Sequence, residues 1–358
     1  MTGASTFLML CSLLAVGLVW LLPRERSLDA VALLTLVAIS VVSPASALWL
    51  AGTTLFTVLT IRHVHSQRLR GPAVLLCCVI LVTLLFLSRE MPAIFWVGGA
   101  YFTLRHMHAL IDWWMGRLSV PGVAEYFRYS LFLPAIMAGP IHRLENFQRQ
   151  ARRMRVTTAN LFTGAERALF GLAQAVVVSS WALRRLRDIS QRQVEAWPEF
   201  FQRWVAGGFD WLQMFFSFAG LTSLALGLSL MMGLRLEENF NRPWASRNLI
   251  DFWSRWHMTL SNWCRDYVFY PVTALTRLPL IGLVAAMLAM GLWHDSSAYY
   301  VLWALWQSLG IYLTHLALRL PFEFLPTGVK RIIGTLSVIL WLSLTRPMVL
   351  MTLEAFTT

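Results

Sequence analysis

The sequence predicts an all-α polytopic membrane protein, and three observations carry that prediction. Hydrophobic residues fill 57% of the 358 positions against 13% charged, the mean hydropathy is +0.59, and the apolar stretches are long and free of polar alternation. A bilayer span must satisfy its backbone internally, which leaves helices or a closed barrel, and unalternated runs select helices. Apolar segments fall at about residues 6–22, 29–42, 45–61, 72–88, 92–104, 127–141, 161–183, 209–233, 278–293, 297–318 and 331–351. Several are shorter than a straight crossing requires, so about 8–11 embedded helices are expected, some broken or re-entrant, around a central cavity. The run at 7–22 has neither a basic leader nor an A-x-A site, and reads as a retained first span. No repeat, low-complexity tract or linker divides the chain, so 1–358 reads as a single membrane domain.

The formal net charge of +12 rests on 30 Lys and Arg, of which Lys330 is the single lysine. They gather in short connections such as IRHVHSQRLR, HRLENFQRQARRMR and RRLRDISQRQ. That pattern fits cytoplasmic loops and membrane-lipid headgroups, not the basic face with interleaved aromatics that nucleic acid requires. Phosphate-bearing ligands suit so many arginines. The connection His142–Asn160 is expected on the cytoplasmic side. A second basic connection, Arg184–Arg203, conflicts with it if 161–183 crosses once, and an interfacial or re-entrant piece containing Gly164, Gly171 and Gln174 would resolve the conflict. Cys11, Cys77, Cys78 and Cys264 have no zinc-type spacing and read as small core residues. His63 with His65, and His106 with His108, are two apart and point to different sides of a helix, so no metal site is expected. Asp112 lies close in sequence to Arg105 and Arg117 and reads as half of a structural ion pair.

Polar chemistry concentrates between residues 239 and 294. As one helix over 249–268, the 3.6-residue period puts Trp253, Trp256, His257, Leu260, Trp263, Cys264 and Tyr267 on one stripe. Ser254, Arg255, Met258, Ser261, Asn262 and Arg265 take the other face, so this helix belongs in the interface or beside a wet cavity. Asn248 is the expected N-cap with Asp251 in the first turn, and Pro271, lacking an amide hydrogen, is expected to end it. His294 follows the apolar run LIGLVAAMLAMGLW, where an ionisable group is costly and therefore a functional candidate. Upstream, LPAIMAGPIHR carries Pro134 and Gly139-Pro140, which predict a helix broken at depth with its carbonyls lining a cavity. Ser217, Thr222, Ser223, Gly220 and Gly227 in FFSFAGLTSLALG read as a close helix-packing face.

The ordered set LPAIMAGPI, NFNRPW, FWSRWHMTLSNWCRDYVFYPV and GLWHDSSAYYVLWALWQSLG resembles the membrane-bound O-acyltransferase family, over about residues 127–318. It looks most like the bacterial branch that acetylates alginate or transfers D-alanine to teichoic acid. The resemblance implies that His294 is catalytic, as general base, and that His257 supports it in the same cavity. A neutral imidazole can take the proton from a sugar hydroxyl as it attacks a thioester carbonyl. It also implies a cytosolic thioester donor, acetyl-CoA or another acyl thioester, with no bound cofactor. The acceptor would be an extracytoplasmic polysaccharide, a periplasmic transferase the partner, and the bacterial inner membrane the location. Asn241, Asn262, Arg265, Trp293 and Asp295 are the expected substrate-binding residues. Asp295 stands where the family usually has Gly, an added carboxylate that either raises the basicity of His294 or faces solvent. Residues 217–223 lack two acids common in the branch, and the chain is short for it. Two other readings stand beside this one: D-alanyl or other acyl transfer from a carrier protein, and a non-catalytic flippase or channel.

Overall fold

The computed structural model describes residues 3–91, 97–137, 139–320 and 326–357. The first residues of the expected segment 92–104, and Ala138 of the LPAIMAGPI stretch, lie outside the described residues. The fold is all-α, with no strand among the described residues. Among the described residues six helices are long and apolar enough to cross a membrane: Gly3–Leu21, Pro44–His63, Gln67–Arg89, Thr158–Gln193, Glu199–Met231 and Thr327–Phe356, with a shorter apolar helix at Pro279–His294. Large apolar side chains such as Leu13, Leu48, Leu75, Phe162 and Leu336 point outward, the face a helix presents when its solvent is lipid. The chain is a multi-pass membrane protein.

Two compact units are present, Met1–Leu172 with Leu221–Glu237, and Ala173–Gly220 with Glu238–Thr358. In the first, α1 (Gly3–Leu21), α2 (Arg24–Val42), α3 (Pro44–His63), α4 (Gln67–Arg89) and α5 (Gly99–Trp114) precede the short helices α6 (Val123–Ser130), α7 (Pro134–Met137) and α8 (Leu144–Arg152) and the start of α9 (Thr158–Ala173). Ser43 alone joins α2 to α3: its hydroxyl accepts from the Ser46 amide at 3.2 Å, and Pro44, with no amide to leave orphaned, opens α3. Hydroxyls inside the apolar helices bond back to the preceding turn, Ser12 to the Leu8 carbonyl and Thr35 to that of Val31, which satisfies them within their own helix in a non-aqueous setting. The expected close packing at Gly227 is present. A Cβ there would lie 2.5 Å from the Gly164 carbonyl oxygen, and one on Gly164 would lie 2.6 Å from that of Gly227, so two backbones touch where neither residue has a side chain.

LPAIMAGPI is broken as expected: α7 is four residues long and Pro140–Arg143 is irregular. Its carbonyls do not wait for a cavity, however. The buried Arg105 donates through Nη2 to the Ala135 carbonyl at 2.6 Å and the Pro140 carbonyl at 3.4 Å. The guanidinium therefore caps the break, while Asp112 meets Arg117 at 3.8 Å and His108 at 3.4 Å. The paired histidines separate as their spacing requires, His106 bonding the Tyr126 hydroxyl at 2.7 Å and His108 that of Tyr129 at 2.8 Å.

The second unit holds α10 (Arg184–Gln193), the N-terminal part of α11 (Glu199–Met231), α12 (Leu249–Trp253), α13 (Met258–Cys264), α14 (Tyr270–Thr276), α15 (Pro279–His294), α16 (Ala298–Ala317) and α17 (Thr327–Thr357). The second basic connection starts in helix, since α10 continues directly from the π-helical turns Gln174–Leu183. α15 and α16 form an antiparallel pair whose crossing depends on Gly291: a Cβ there would stand 2.6 Å from the Tyr300 carbonyl oxygen.

The single helix expected over 249–268 is a correction. Asn248 does cap α12, its side-chain oxygen accepting from the Asp251 amide at 2.8 Å. The helix then stops at Trp253, turns through 254–257 and restarts as α13. Pro271 does not end the pattern either. Residues Arg265–Phe269 widen into a π-helical turn, the Tyr270 amide bonding back to the Arg265 carbonyl, and helix resumes through Thr276. The wider turn accommodates a residue with no amide to give. Of the expected stripe, Trp253, Trp256, His257, Leu260, Trp263 and Cys264 are buried, while Tyr267, in the widened turn, is half-buried.

Candidate active site

The site is assembled on the restart of that helix. His257 occupies the residue before α13 with φ 40° and ψ 52°, a left-handed backbone that a non-glycine residue keeps only where its neighbours impose it. The imposing neighbours are the NFN residues. The Met258 amide donates to the Asn239 carbonyl at 2.9 Å, and the Asn241 amide donates to the Arg255 carbonyl at 3.0 Å. The Asn239 side-chain oxygen, fully buried, accepts from the Thr259 hydroxyl at 2.6 Å and from its amide at 3.4 Å. Residues 239–241 thus pair with 255–259 and clamp the turn.

His257 is 3% exposed and packed between Phe218, at 4.7 Å between ring centroids, and Trp293, at 5.8 Å and 76°. Burial, and secondarily the proximity of His294, hold its pKa well below the usual imidazole value, so it is neutral. His294 ends α15 and is exposed. Its ring lies 4.8 Å from that of Trp293, stacks on Tyr300 at 5.5 Å and 17°, and meets Trp303 edge-on at 6.2 Å. Trp293, 8% exposed, therefore touches both imidazoles: one is buried in the unit, the other exposed.

Asn241 is in the clamp, exposed, and its carbonyl accepts from Arg255 at 3.3 Å. Asn262 is half-buried on α13, and Arg265 at the head of the π turn pairs with Asp266 at 3.0 Å. The Asp295 carboxylate accepts from the next amide, Ser296, at 2.7 Å, shaping the turn after α15. Sequence reasoning missed Asn239 and Thr259 as the clamp, and Tyr300 and Trp303 as the wall behind His294. For the last two a signal existed, since Tyr300 and Trp303 lie near the start of the next helix, whose first turns must return past His294 when two helices are joined by a short turn.

An imidazole open to substrate beside a second, buried and neutral, suits proton transfer at a reacting hydroxyl. The chain is 28% identical over 217 residues to a protein named probable alginate O-acetylase AlgI of Pseudomonas aeruginosa, covering 60% of this chain and 41% of that one. It is 30% identical over 242 residues to a teichoic acid D-alanyltransferase of Streptococcus thermophilus, covering 62% and 57%. With a peptidoglycan O-acetyltransferase of Helicobacter pylori it shares 28% over 187 residues, covering 51% and 35%. The chain thus aligns with roughly a third to somewhat over half of the length of these relatives. Residues 76–350, which include the clamp, both imidazoles and the broken helix of the first unit, match the family model, and the chain belongs to the membrane-bound O-acyltransferase (MBOAT) family.

Proposed function

We propose that this protein, in the bacterial inner membrane, moves an acyl group, acetyl in the leading reading, from a cytosolic thioester toward a hydroxyl of an extracytoplasmic polysaccharide. His294 is the general base. It takes the hydroxyl proton as the oxygen attacks the thioester carbonyl; the new C–O bond forms, the C–S bond breaks, and the proton passes to the departing thiolate. The observation that carries this reading is the placement of His294 at the C-terminal end of α15 with its ring stacked on Tyr300. Both the helix terminus and the aromatic face favour the positive charge that appears when the imidazole is protonated. His257, neutral and buried next to Trp293, orients the acyl carbonyl or polarises it through a ring N–H. Trp293, Asn241, Asn262, Arg265 and Asp295 line the approach. Where a periplasmic transferase completes the route, the attacking hydroxyl is that transferase's, and it carries the group onward to the polymer.

His294→Ala should abolish acetylation of the envelope polymer in cells while the protein is still inserted at normal abundance. Retained acetylation would remove the mechanism. The relative that transfers D-alanine to teichoic acid supports a second reading, acyl transfer from a carrier protein. Purified protein supplied with acetyl-CoA or with an acylated carrier separates the two donors.

A further inference from the structure

The second unit also contains a pocket of about 630 Å³, the size of a small-molecule site. It opens where residues 242–255 meet the C-terminal end of α16, at Leu318, and the start of α17, at Thr327. Five of its lining side chains are cationic: Arg242, Arg247, Arg255, Lys330 and Arg331. Among the described residues no carboxylate lines it. Asp251 lies alongside, its two oxygens shared between Arg255 at 2.7 Å and Arg247 at 3.5 Å.

Two features separate this pocket from an ordinary basic loop. Arg242 has φ 48° and ψ 57°, so its side chain is presented from a backbone conformation that is costly for a non-glycine residue and that persists where the surroundings enforce it. Lys330 and Arg331 stand near the N-terminal end of α17, the end at which a helix disfavours positive charge, and no acidic residue offsets them in its first turn. Cations gathered in a concavity against these preferences need an anion to settle them. Guanidinium forks match the oxygens of a phosphate two at a time.

We infer that this pocket binds a phosphate-bearing anion of more than one negative charge or more than one phosphate contact. α17 is a candidate span, so the pocket lies at one end of a membrane helix. A lipid headgroup and the phosphates of a soluble thioester donor are both in reach of such a place; the second source rests on the acyl-transfer reading above.

The test uses the full chain purified in neutral detergent, titrated calorimetrically with 3′,5′-ADP, the phosphate-bearing end of a coenzyme A thioester. A parallel titration uses short-chain phosphatidylglycerol, with phosphatidylcholine as the uncharged control. Lys330→Glu with Arg331→Glu should raise Kd at least a hundredfold, at roughly tenfold per lost charge-assisted bond. Arg184→Glu with Arg185→Glu, the same charge change on the exposed face of α10, should leave it within about twofold. Arg247→Gln with Arg331→Gln serves if charge reversal blocks insertion. Loss of 3′,5′-ADP binding in the pocket variants alone assigns the donor phosphates, and loss of phosphatidylglycerol binding alone assigns the headgroup. Wild-type protein that binds neither, or equal losses in pocket and α10 variants, overturns the inference. Binding is read without turnover, so wild-type protein that transfers no acyl group from any thioester would overturn the acyl-transfer reading and leave this result standing.

Discussion

Gly291→Ala puts the α15–α16 crossing to a test in which two effects have opposite signs. In an isolated helix the change is stabilising by about 1 kcal/mol, because alanine holds helical backbone better than glycine. Here the added methyl would lie 2.6 Å from the Tyr300 carbonyl oxygen, and an ordinary carbon–oxygen contact begins near 3.3 Å, so the helices must part by about 0.7 Å. The obstacle is backbone and cannot rotate away. Overpacking of this kind costs roughly 1–3 kcal/mol, which cancels the propensity gain and leaves a net loss of up to about 2 kcal/mol. The larger effect is on chemistry. His294 lies three residues beyond Gly291, and Tyr300 is both the residue struck and the ring on which His294 stacks. Displacing a reacting group by most of an ångström costs roughly tenfold to a hundredfold. Thermal unfolding in detergent, followed by tryptophan fluorescence, and thioester-dependent transfer to an acceptor would be measured on the same preparation. A variant more stable than wild type with undiminished transfer, as helix propensity alone predicts, would refute the reasoning.

Three further outcomes are expected. Asn239→Ala leaves the Thr259 hydroxyl and amide without their shared acceptor and should lower stability by about 1–3 kcal/mol, seen as faster hydrogen exchange across 255–260. His257→Asn keeps a residue that tolerates the left-handed backbone but removes a titrating group. Because burial depresses the folded pKa of His257, its contribution is fully present above the unfolded value of about 6.5 and is lost as pH falls below it. The variant should therefore lose less stability between pH 7 and pH 5 than wild type does, measured by the unfolding midpoint at each pH. Arg105→Met deprives the Ala135 and Pro140 carbonyls of their donor; a loss of about 1–3 kcal/mol is expected, with Arg105→Lys only partly restoring it, read as the yield of monodisperse protein and its unfolding midpoint.

Much of the architecture is legible in the residues because lipid simplifies the problem. Composition alone selects helices, and the 3.6-residue period correctly sorted Trp253, Trp256, His257, Leu260, Trp263 and Cys264 to the buried side. The period could not reveal that the helix is interrupted. That break depends on hydrogen bonds from Asn239 and Asn241, some fifteen residues away in sequence, and no local preference of S-R-W-H announces a left-handed histidine. Pro271 misled for a related reason: its lack of an amide is a real constraint, but a widened turn satisfies it as well as a helix end does. In the first unit the charged residues within an apolar run were visible as an anomaly. What stayed hidden was the partner of Arg105, because a broken helix shows only its missing donors in sequence, not the side chain that replaces them.

That last pairing bears on how the chain enters the membrane. α5, which is not among the candidate spans, carries Arg105, and a guanidinium drawn to bilayer depth would be disfavoured by about 2.5–3.5 kcal/mol on insertion scales. The carbonyls that accept from it belong to residues 135 and 140, which leave the ribosome some thirty residues later. Until then neither segment is content in lipid: one has a charge with no acceptor, the other a broken backbone with no donor. The two are therefore expected to be admitted together, held at the translocation machinery or shielded by an insertase until they meet, so that the order of synthesis becomes part of how this protein reaches its native state.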